Sequence, residues 1–131
     1  VVSALAMEDL DWVVCYQSRI GPLAWIGPAT GEEVARAAAD GVPVVMVPIA
    51  FVSEHSETLV ELDVEYARQA RELGVPLYVR VPAVGTDAGF IEGLASLARR
   101  ARGADAALCS GEGGRLCPAA CQRCAYAVSL E

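Results

Sequence analysis

A near-continuous apolar run, VPVVMVPIAF at residues 42–51, restricts the possible folds of this chain more than any other segment. A strand with one face in water alternates apolar and polar side chains, so a run without that alternation indicates a strand buried on both faces of a parallel sheet. Two further segments, at 11–19 and 75–83, also have the composition of strands. Helix-like segments separate the three. We therefore expect βαβ units in an α/β fold, a three-layer sandwich built on a parallel sheet.

The helix-like segments carry signals for where they begin and end. Thr30 and Glu33 have the spacing of a capping box at the start of the first helix, and Gly41 predicts its end. The second predicted helix runs over residues 54–73 and the third over residues 87–102. Their lengths are typical of helices that cross between parallel strands.

The size and composition of the chain fit one folded domain, with 131 residues, of which 54% are hydrophobic and 21% are charged. The α/β pattern covers residues 1–103, whereas residues 104–131 form a tail organised by cysteines and glycines. The chain does not begin with Met, and its first residues already have a helical pattern. We therefore expect a fragment or the tail of a longer protein.

The net charge of −7 argues against a nucleic-acid partner, because phosphate binding needs a concentrated basic surface and the ten basic residues, all Arg, are scattered. No apolar run approaches the roughly 20 residues that a membrane-spanning helix needs. The first twelve residues lack the charged start and the cleavage site of a signal peptide.

The second predicted helix has a strongly acidic face. On an α-helix its apolar stripe would contain Leu59, Leu62, Tyr66, Ala70 and Leu73. The opposite face would carry Glu54, Glu57, Glu61 and Glu65. The simplest interpretation of this pattern is a helix with one face in the core and one solvated face.

A metal site is the alternative interpretation of the acidic face. Glu57, Glu61 and Glu65 follow one another four residues apart, where like charges repel by a few tenths of a kcal/mol per pair, and no basic residue separates them. The segment follows a predicted buried strand, and open α/β sheets bind ligands beyond the carboxyl ends of their strands. Carboxylates beside His55, the single histidine of the chain, would suit a divalent cation.

Four of the five cysteines lie within 16 residues of the tail and have C-x7-C-x3-C-x2-C spacing: Cys109, Cys117, Cys121 and Cys124. Four thiolates on a glycine-rich segment would suit zinc or a [2Fe–2S] cluster, although two disulfides or unligated thiols remain alternatives. The fifth, Cys15, is expected to be a buried strand residue. This distribution is typical of a reducing compartment, so we expect a cytoplasmic protein.

Two motifs resemble a known family when they are read together. QSRIGPLAWIGP at 17–28 and VPIAFVSEHSETLVELDVEYARQA at 47–70, in this order and at this spacing, are similar to the C-terminal half of ferrochelatases. These enzymes, which are lyases, insert Fe²⁺ into a porphyrin in haem biosynthesis. The resemblance implies two similar α/β halves with a porphyrin cleft between them, and it makes residues 1–103 the second half.

The resemblance also implies roles for the acidic residues. Glu57 would be the catalytic carboxylate that faces the porphyrin centre, where it would hold the metal or receive pyrrole protons. Glu61 and Glu65 would continue away from the centre as an acidic conduit or a second metal position. His55, with Glu54, would support this metal site through hydrogen bonds.

Substrate and cofactor sites are implied by the same resemblance. Trp25 and Ser18 would bind the porphyrin, either protoporphyrin IX or coproporphyrin III. An ordinary core tryptophan is the alternative interpretation of Trp25. The cysteine tail would bind a [2Fe–2S] cluster with Cys109 as the fourth ligand, and zinc is the alternative. The resemblance leaves a peripheral membrane contact open.

One departure from the family is important. The histidine that the family places opposite the catalytic glutamate lies in the first half, which this chain does not contain. We therefore expect the chain to be inactive alone, or active only with a separate N-terminal half. A cobalt or nickel chelatase of related fold is disfavoured by the single histidine. A non-catalytic iron–sulfur or porphyrin-binding module, or a truncated product, is the alternative from another class.

Overall fold

The computed structural model describes residues 1–18, 21–22, 24–103, 118 and 120. In chain order its elements are α1 (Val2–Leu5), α2 (Thr30–Asp40), β1 (Val44–Met46), a π-helix (Glu57–Tyr66), α3 (Ala67–Leu73), β2 (Tyr78–Arg80) and α4 (Ala88–Arg102). The chain divides into two compact units, Val1–Gly85 and Thr86–Glu131. The division of the sequence into residues 1–103 and a tail at 104–131 stays a prediction.

The sheet of the first unit contains two parallel strands. Val44 pairs with Tyr78 and Met46 with Arg80, and the amide of Val81 extends the ladder by donating to the Met46 carbonyl at 2.8 Å. The π-helix and α3 form the crossover that parallel strands require. The predicted α/β class is confirmed in this coarse form, a mixture of helices and a parallel sheet, whereas the three-layer sandwich stays a prediction.

The strands are shorter than predicted, and proline explains their length. β1 and β2 have three residues each, where the sequence predicts strands over 42–51 and 75–83. Prolines lie close to both ends of each strand, at Pro43, Pro48, Pro76 and Pro82. Proline has no N–H to donate to a ladder, so pairing ends near each of them.

The strand predicted over 11–19 is wrong for the part that the structure describes, residues 11–18. The described part of this segment pairs through one isolated bridge, between Tyr16 and Ala29. In this bridge the Tyr16 amide donates to the Pro28 carbonyl, and the Thr30 amide donates to the Tyr16 carbonyl. Cys15 lies in this extended segment and is half-buried, and its sulfur accepts the Thr30 hydroxyl at 3.5 Å. The cysteine is therefore more exposed than predicted.

The described core lies where α2 packs against α3 and where α3 continues the π-helix. Its buried residues are Thr30, Val34, Ala37, Thr58, Leu62 and Ala70. Leu62 and Ala70 are confirmed members of the predicted stripe, but Leu59 is 48% exposed and Leu73 is 46% exposed. Residues three apart point further from each other in the wide turn of a π-helix than in an α-helix, so Leu59 leaves the buried face that Leu62 shares with Thr58.

Local signals set the boundaries of α2. Gly41, at a φ of 68°, ends the helix as predicted. The capping box lies one residue earlier than predicted, because the Glu32 carboxylate, rather than Glu33, accepts a backbone amide, that of Ala29, at 3.0 Å. Alanine has no side-chain acceptor, so this box is only half formed. Among the residues that the structure describes, no helix is both long and apolar enough to cross a membrane.

Candidate active site

The acidic segment forms a π-helix rather than the predicted α-helix over most of its length. Ten residues, Glu57–Tyr66, have π geometry, and only Ala67–Leu73 continue as α-helix. π-Helices usually last a single turn and are frequent at functional sites. Two side chains from elsewhere bind its carbonyls: the Gln17 amide donates to Glu57 at 2.9 Å and the Tyr78 hydroxyl to Leu62 at 2.9 Å.

A buried threonine fixes the segment that leads from β1 into the π-helix. The Thr58 hydroxyl oxygen accepts the His55 amide at 2.9 Å and lies 3.0 Å from the His55 carbonyl, to which it donates. That carbonyl also accepts the amides of Thr58 and Leu59. The backbone of His55 is therefore held beside the first turn of the π-helix, beyond the carboxyl end of β1.

His55 and Glu57 form a close pair at this position. Nδ1 of His55 lies 2.5 Å from Oε2 of Glu57, and the Ser56 hydroxyl donates to the same oxygen at 2.9 Å. The His55 ring also meets the Phe51 ring edge-on, with centroids 4.5 Å apart. Hydrogen bonds from Ser56, from the Glu57 amide and from His55 lower the pKa of the Glu57 carboxyl, so this carboxylate is ionised near neutral pH.

The second acid of the predicted column has different partners. Oε2 of Glu61 accepts the Ser18 hydroxyl at 2.7 Å and the Gln17 amide at 3.2 Å, while Glu65 is exposed. Burial and the negative charge of Glu61 raise the pKa of the neighbouring Tyr66. Ser18 has a φ of 59°, in the left-handed region that non-glycine residues seldom occupy.

The four predicted metal ligands are therefore only partly brought together, with His55 beside Glu57 and Glu61 beside Ser18. Within the described ranges, no three His, Cys, Asp or Glu side chains are grouped as a metal ion would require. The ligand set Glu57, Glu61, Glu65 and His55 stays a prediction.

The two predicted substrate residues share one cavity. A cavity of about 300 Å³ is lined by Ser18 and Trp25, together with Tyr16, Gln17, Ile26 and Tyr66 among others. Trp25 is 44% exposed, so it is not the ordinary core tryptophan that was the alternative interpretation. The cavity is at the small end of the usual range for ligand sites.

Sequence reasoning missed two residues near the site. Arg80, at the end of β2, binds Glu54 and Asp63, and Gln17 binds the first turn of the π-helix. A lone charge inside the apolar segment at 75–83 was the available signal for Arg80, since a charged strand residue needs a partner. Gln17 had no such signal.

The tail residues predicted to bind a cluster, Cys109, Cys117, Cys121 and Cys124, lie outside the residues that the structure describes. Their ligation stays a prediction.

Comparison with known proteins identifies the family. A family model described as Ferrochelatase matches residues 1–102. The ferrochelatase of Phenylobacterium zucineum is 55% identical over 125 residues, which are 95% of this chain and 36% of that protein. The ferrochelatase of Caulobacter vibrioides is 49% identical over 123 residues (94% of this chain and 35% of that protein). That of Wolbachia sp. subsp. Drosophila simulans is 56% identical over 97 residues (74% and 30%).

The chain spans about a third of the length of the curated relatives that it matches. The family match covers both motifs, at 17–28 and 47–70, and it includes every site residue that the structure describes. The chain therefore belongs to the ferrochelatase family.

Proposed function

We propose that this chain supplies the acidic wall of a site where Fe²⁺ is inserted into a porphyrin during haem biosynthesis. In that reaction the metal forms bonds to four pyrrole nitrogens, and two of these nitrogens release their protons. The observation that carries the proposal is the His55–Glu57 pair, with Nδ1 and Oε2 2.5 Å apart at the start of a π-helix. It combines a cation ligand and a proton acceptor in one place.

The electrostatics of the pair favour different tasks for its two members. A carboxylate with a lowered pKa is a weak base but keeps its charge, so Glu57 is suited to hold the incoming Fe²⁺. A neutral imidazole that donates from Nδ1 keeps a lone pair on Nε2 and can accept a proton there. We assign metal holding to Glu57, and to His55 the orientation of this carboxylate and the capacity to receive a pyrrole proton.

The remaining acids would guide the metal to this pair. Glu61 is held by Ser18 and Gln17, and Glu65 is exposed further along the π-helix. Two carboxylates in succession can exchange water ligands of the cation stepwise for carboxylate oxygens. Their charges support a conduit for Fe²⁺ or a second metal position.

The cavity beside the π-helix is the proposed porphyrin contact. The indole of Trp25 is exposed there and can pack on the face of a macrocycle, while the Ser18 hydroxyl offers a polar contact. Either protoporphyrin IX or coproporphyrin III has the flat aromatic face that this contact needs.

An N-terminal half is the proposed partner of this chain. Val45 and Val79 lie opposite each other in β1 and β2 and are 64% and 42% exposed. Parallel sheets are normally covered on both faces, so this surface favours a further layer of protein. A first half would also supply the opposite wall of the cleft and the histidine that this chain lacks.

Metallation kinetics test the role of Glu57. The chain is combined with the complementary first half of the Phenylobacterium relative, and Fe²⁺ insertion is followed by porphyrin absorbance. Glu57→Gln is expected to lower kcat by about 100-fold or more, because the charge that holds the metal is lost. Glu72→Gln, on the exposed side of α3, is the matched control and should leave the rate unchanged. Equal rates for the two variants would overturn the role of Glu57.

A porphyrin-binding module without catalysis is the second candidate, and the exposed Trp25 in its cavity favours it. The chain is titrated with porphyrin, and binding is followed as a shift of the Soret band. Variants of the two tryptophans of the chain are then compared. Trp25→Ala should abolish the shift, while Trp12→Ala, outside the residues that line this cavity, should preserve it. Binding without metallation in the complemented chain would favour this second candidate.

We also propose a cytoplasmic location and a [2Fe–2S] cluster on the tail cysteines, with zinc as the alternative. An anaerobic preparation should be coloured and contain iron and sulfide. A colourless sample without either would rule against the cluster, and bound zinc would favour a structural site.

Association with lipid vesicles tests the peripheral membrane contact.

A further inference from the structure

Arg80 is the charged residue of β2, and its side chain is only 11% exposed. Its guanidinium binds Asp63 through two bonds, Nε to Oδ1 at 2.7 Å and Nη2 to Oδ2 at 2.5 Å. Nη1 donates to Oε1 of Glu54 at 2.6 Å. We call Arg80 with these two carboxylates the Arg80 fork. A planar guanidinium fixes the orientation of a bidentate partner as well as its distance.

The fork joins the two segments that carry the His55–Glu57 pair. Glu54 immediately precedes His55, and Asp63 lies six residues beyond Glu57 within the π-helix. The amide of Ala83 also donates to Oε1 of Glu54 at 2.9 Å, so this carboxylate is held from two sides. Hydrogen bonds from Thr58, Arg80 and Ala83 lower the pKa of Glu54 to about 2.

A second residue of β2 reinforces the same connection. Tyr78 lies two positions before Arg80, so both side chains leave the strand on the same face. Its hydroxyl donates to the carbonyl of Leu62, the residue before Asp63 in the π-helix. β2 therefore contacts the π-helix at two consecutive residues.

The geometry points to Arg80 as a positioning residue for the His55–Glu57 pair, an inference that rests on the proposed function. Without the guanidinium, Glu54 and Asp63 would be two carboxylates whose charges repel each other, since the charge of Glu54 already acts unfavourably on Asp63. Separation of the two would move the residue before His55 away from the π-helix that carries Glu57. Thr58 would still hold the backbone of His55, but the 2.5 Å contact of the pair should change without any substitution of either member.

The single histidine of the chain makes a direct test possible, because its ring nitrogens give one set of NMR signals. The ¹⁵N spectrum of the His55 ring is recorded for the full chain at one fixed pH. Arg80→Met should shift the Nδ1 signal away from that of the unmodified chain, and Arg80→Lys should restore it in part. Arg71→Met, which removes an exposed arginine of α3, should leave the spectrum unchanged.

Metallation by the complemented chain is the second readout. Arg80→Met should lower kcat by about 10- to 100-fold, as removal of a group that orients a ligand usually does, with little change in porphyrin KM because Arg80 does not line the Trp25 cavity. An unchanged Nδ1 signal together with unchanged kcat would overturn the inference.

Failure of the Arg80 variant to fold and failure of the proposed function can each be told apart from failure of this inference. If Arg80→Met fails to fold, Asp63→Asn, which weakens the bidentate arm of the fork, takes its place with the same expected shift and the same overturning result. If the complemented chain does not metallate porphyrin at all, the proposed function fails, whereas the Nδ1 signal still decides whether Arg80 positions the pair.

Discussion

At the scale of single residues, the acidic segment is not a uniform charged face. Three of its carboxylates bind three different residues: Glu54 binds Arg80, Glu57 binds His55, and Glu61 binds Ser18. These partners come from β2, from the segment before the π-helix and from the extended segment near residue 18. The carboxylate that pairs with histidine is the one that the family resemblance assigns to catalysis.

The lowered pKa of Glu54 predicts how stability depends on pH. A carboxyl whose pKa falls from 4.5 to about 2 on folding contributes stability above pH 4.5 and loses it as the pH falls through 2. Glu54→Gln should therefore unfold at lower urea concentration than the unmodified chain near neutral pH. This difference should shrink below pH 4.5 and vanish near pH 2. Glu72→Gln is the control, and a difference that stays constant with pH would contradict the assignment.

At the scale of elements, the π-helix depends on side chains from distant segments. Gln17 lies 40 residues from the carbonyl that it binds, and Tyr78 lies 16 residues from its own. Burial raises the pKa of Tyr78 to about 12, so its hydroxyl keeps the proton that it donates throughout the neutral range. We expect these two hydrogen bonds, from Gln17 and Tyr78, to stabilise the π-helix relative to an α-helix.

Removal of the Tyr78 hydroxyl tests whether its hydrogen bond stabilises the π-helix. Tyr78→Phe should lower the free energy of unfolding by about 1 kcal/mol, the usual value of such a hydrogen bond, and should speed amide exchange across Glu57–Tyr66. Tyr16→Phe, in the extended segment before α2, is the control. Unchanged exchange in the Tyr78 variant would show that the hydroxyl does not support the π-helix.

The N-terminus of α4 gives a prediction for the second unit. The Asp87 carboxylate caps this helix by accepting the amides of Gly89 at 2.9 Å and Phe90 at 3.1 Å. Asp87→Ala should lower stability by about 1 kcal/mol, and Asp87→Ser should recover most of it. Urea unfolding followed by circular dichroism measures both variants. Equal loss in the serine and alanine variants would argue against capping.

Local signals explain which elements the sequence could predict. Gly41 and Gly74 end their helices with positive φ, and Asp87 precedes α4, because each acts through its own neighbours. The π geometry could not be predicted, since its helix was placed on the ordinary α period and its supports lie far along the chain. The exposure of Leu59 follows from the difference between the α-helix that was predicted and the π-helix that is observed.

At the scale of the whole molecule, we propose that the chain carries one side of a site. Val45 of β1 and Val79 of β2 are exposed, and the chain spans about a third of the length of its curated relatives. Membership of the family could be predicted from two motifs, because their order and composition are specific. The Arg80 fork could not, because the pairing of β2 with the π-helix appears only in three dimensions.

The rate of Fe²⁺ insertion into porphyrin, with and without a co-expressed N-terminal half, tests this account most directly. We expect no insertion above the uncatalysed rate from the chain alone, because the proposed first half would supply the opposite wall of the cleft. Catalysis should appear when that half is supplied. That catalysis should depend on Glu57. Rapid insertion by the chain alone, or none in the presence of the first half, would contradict the account.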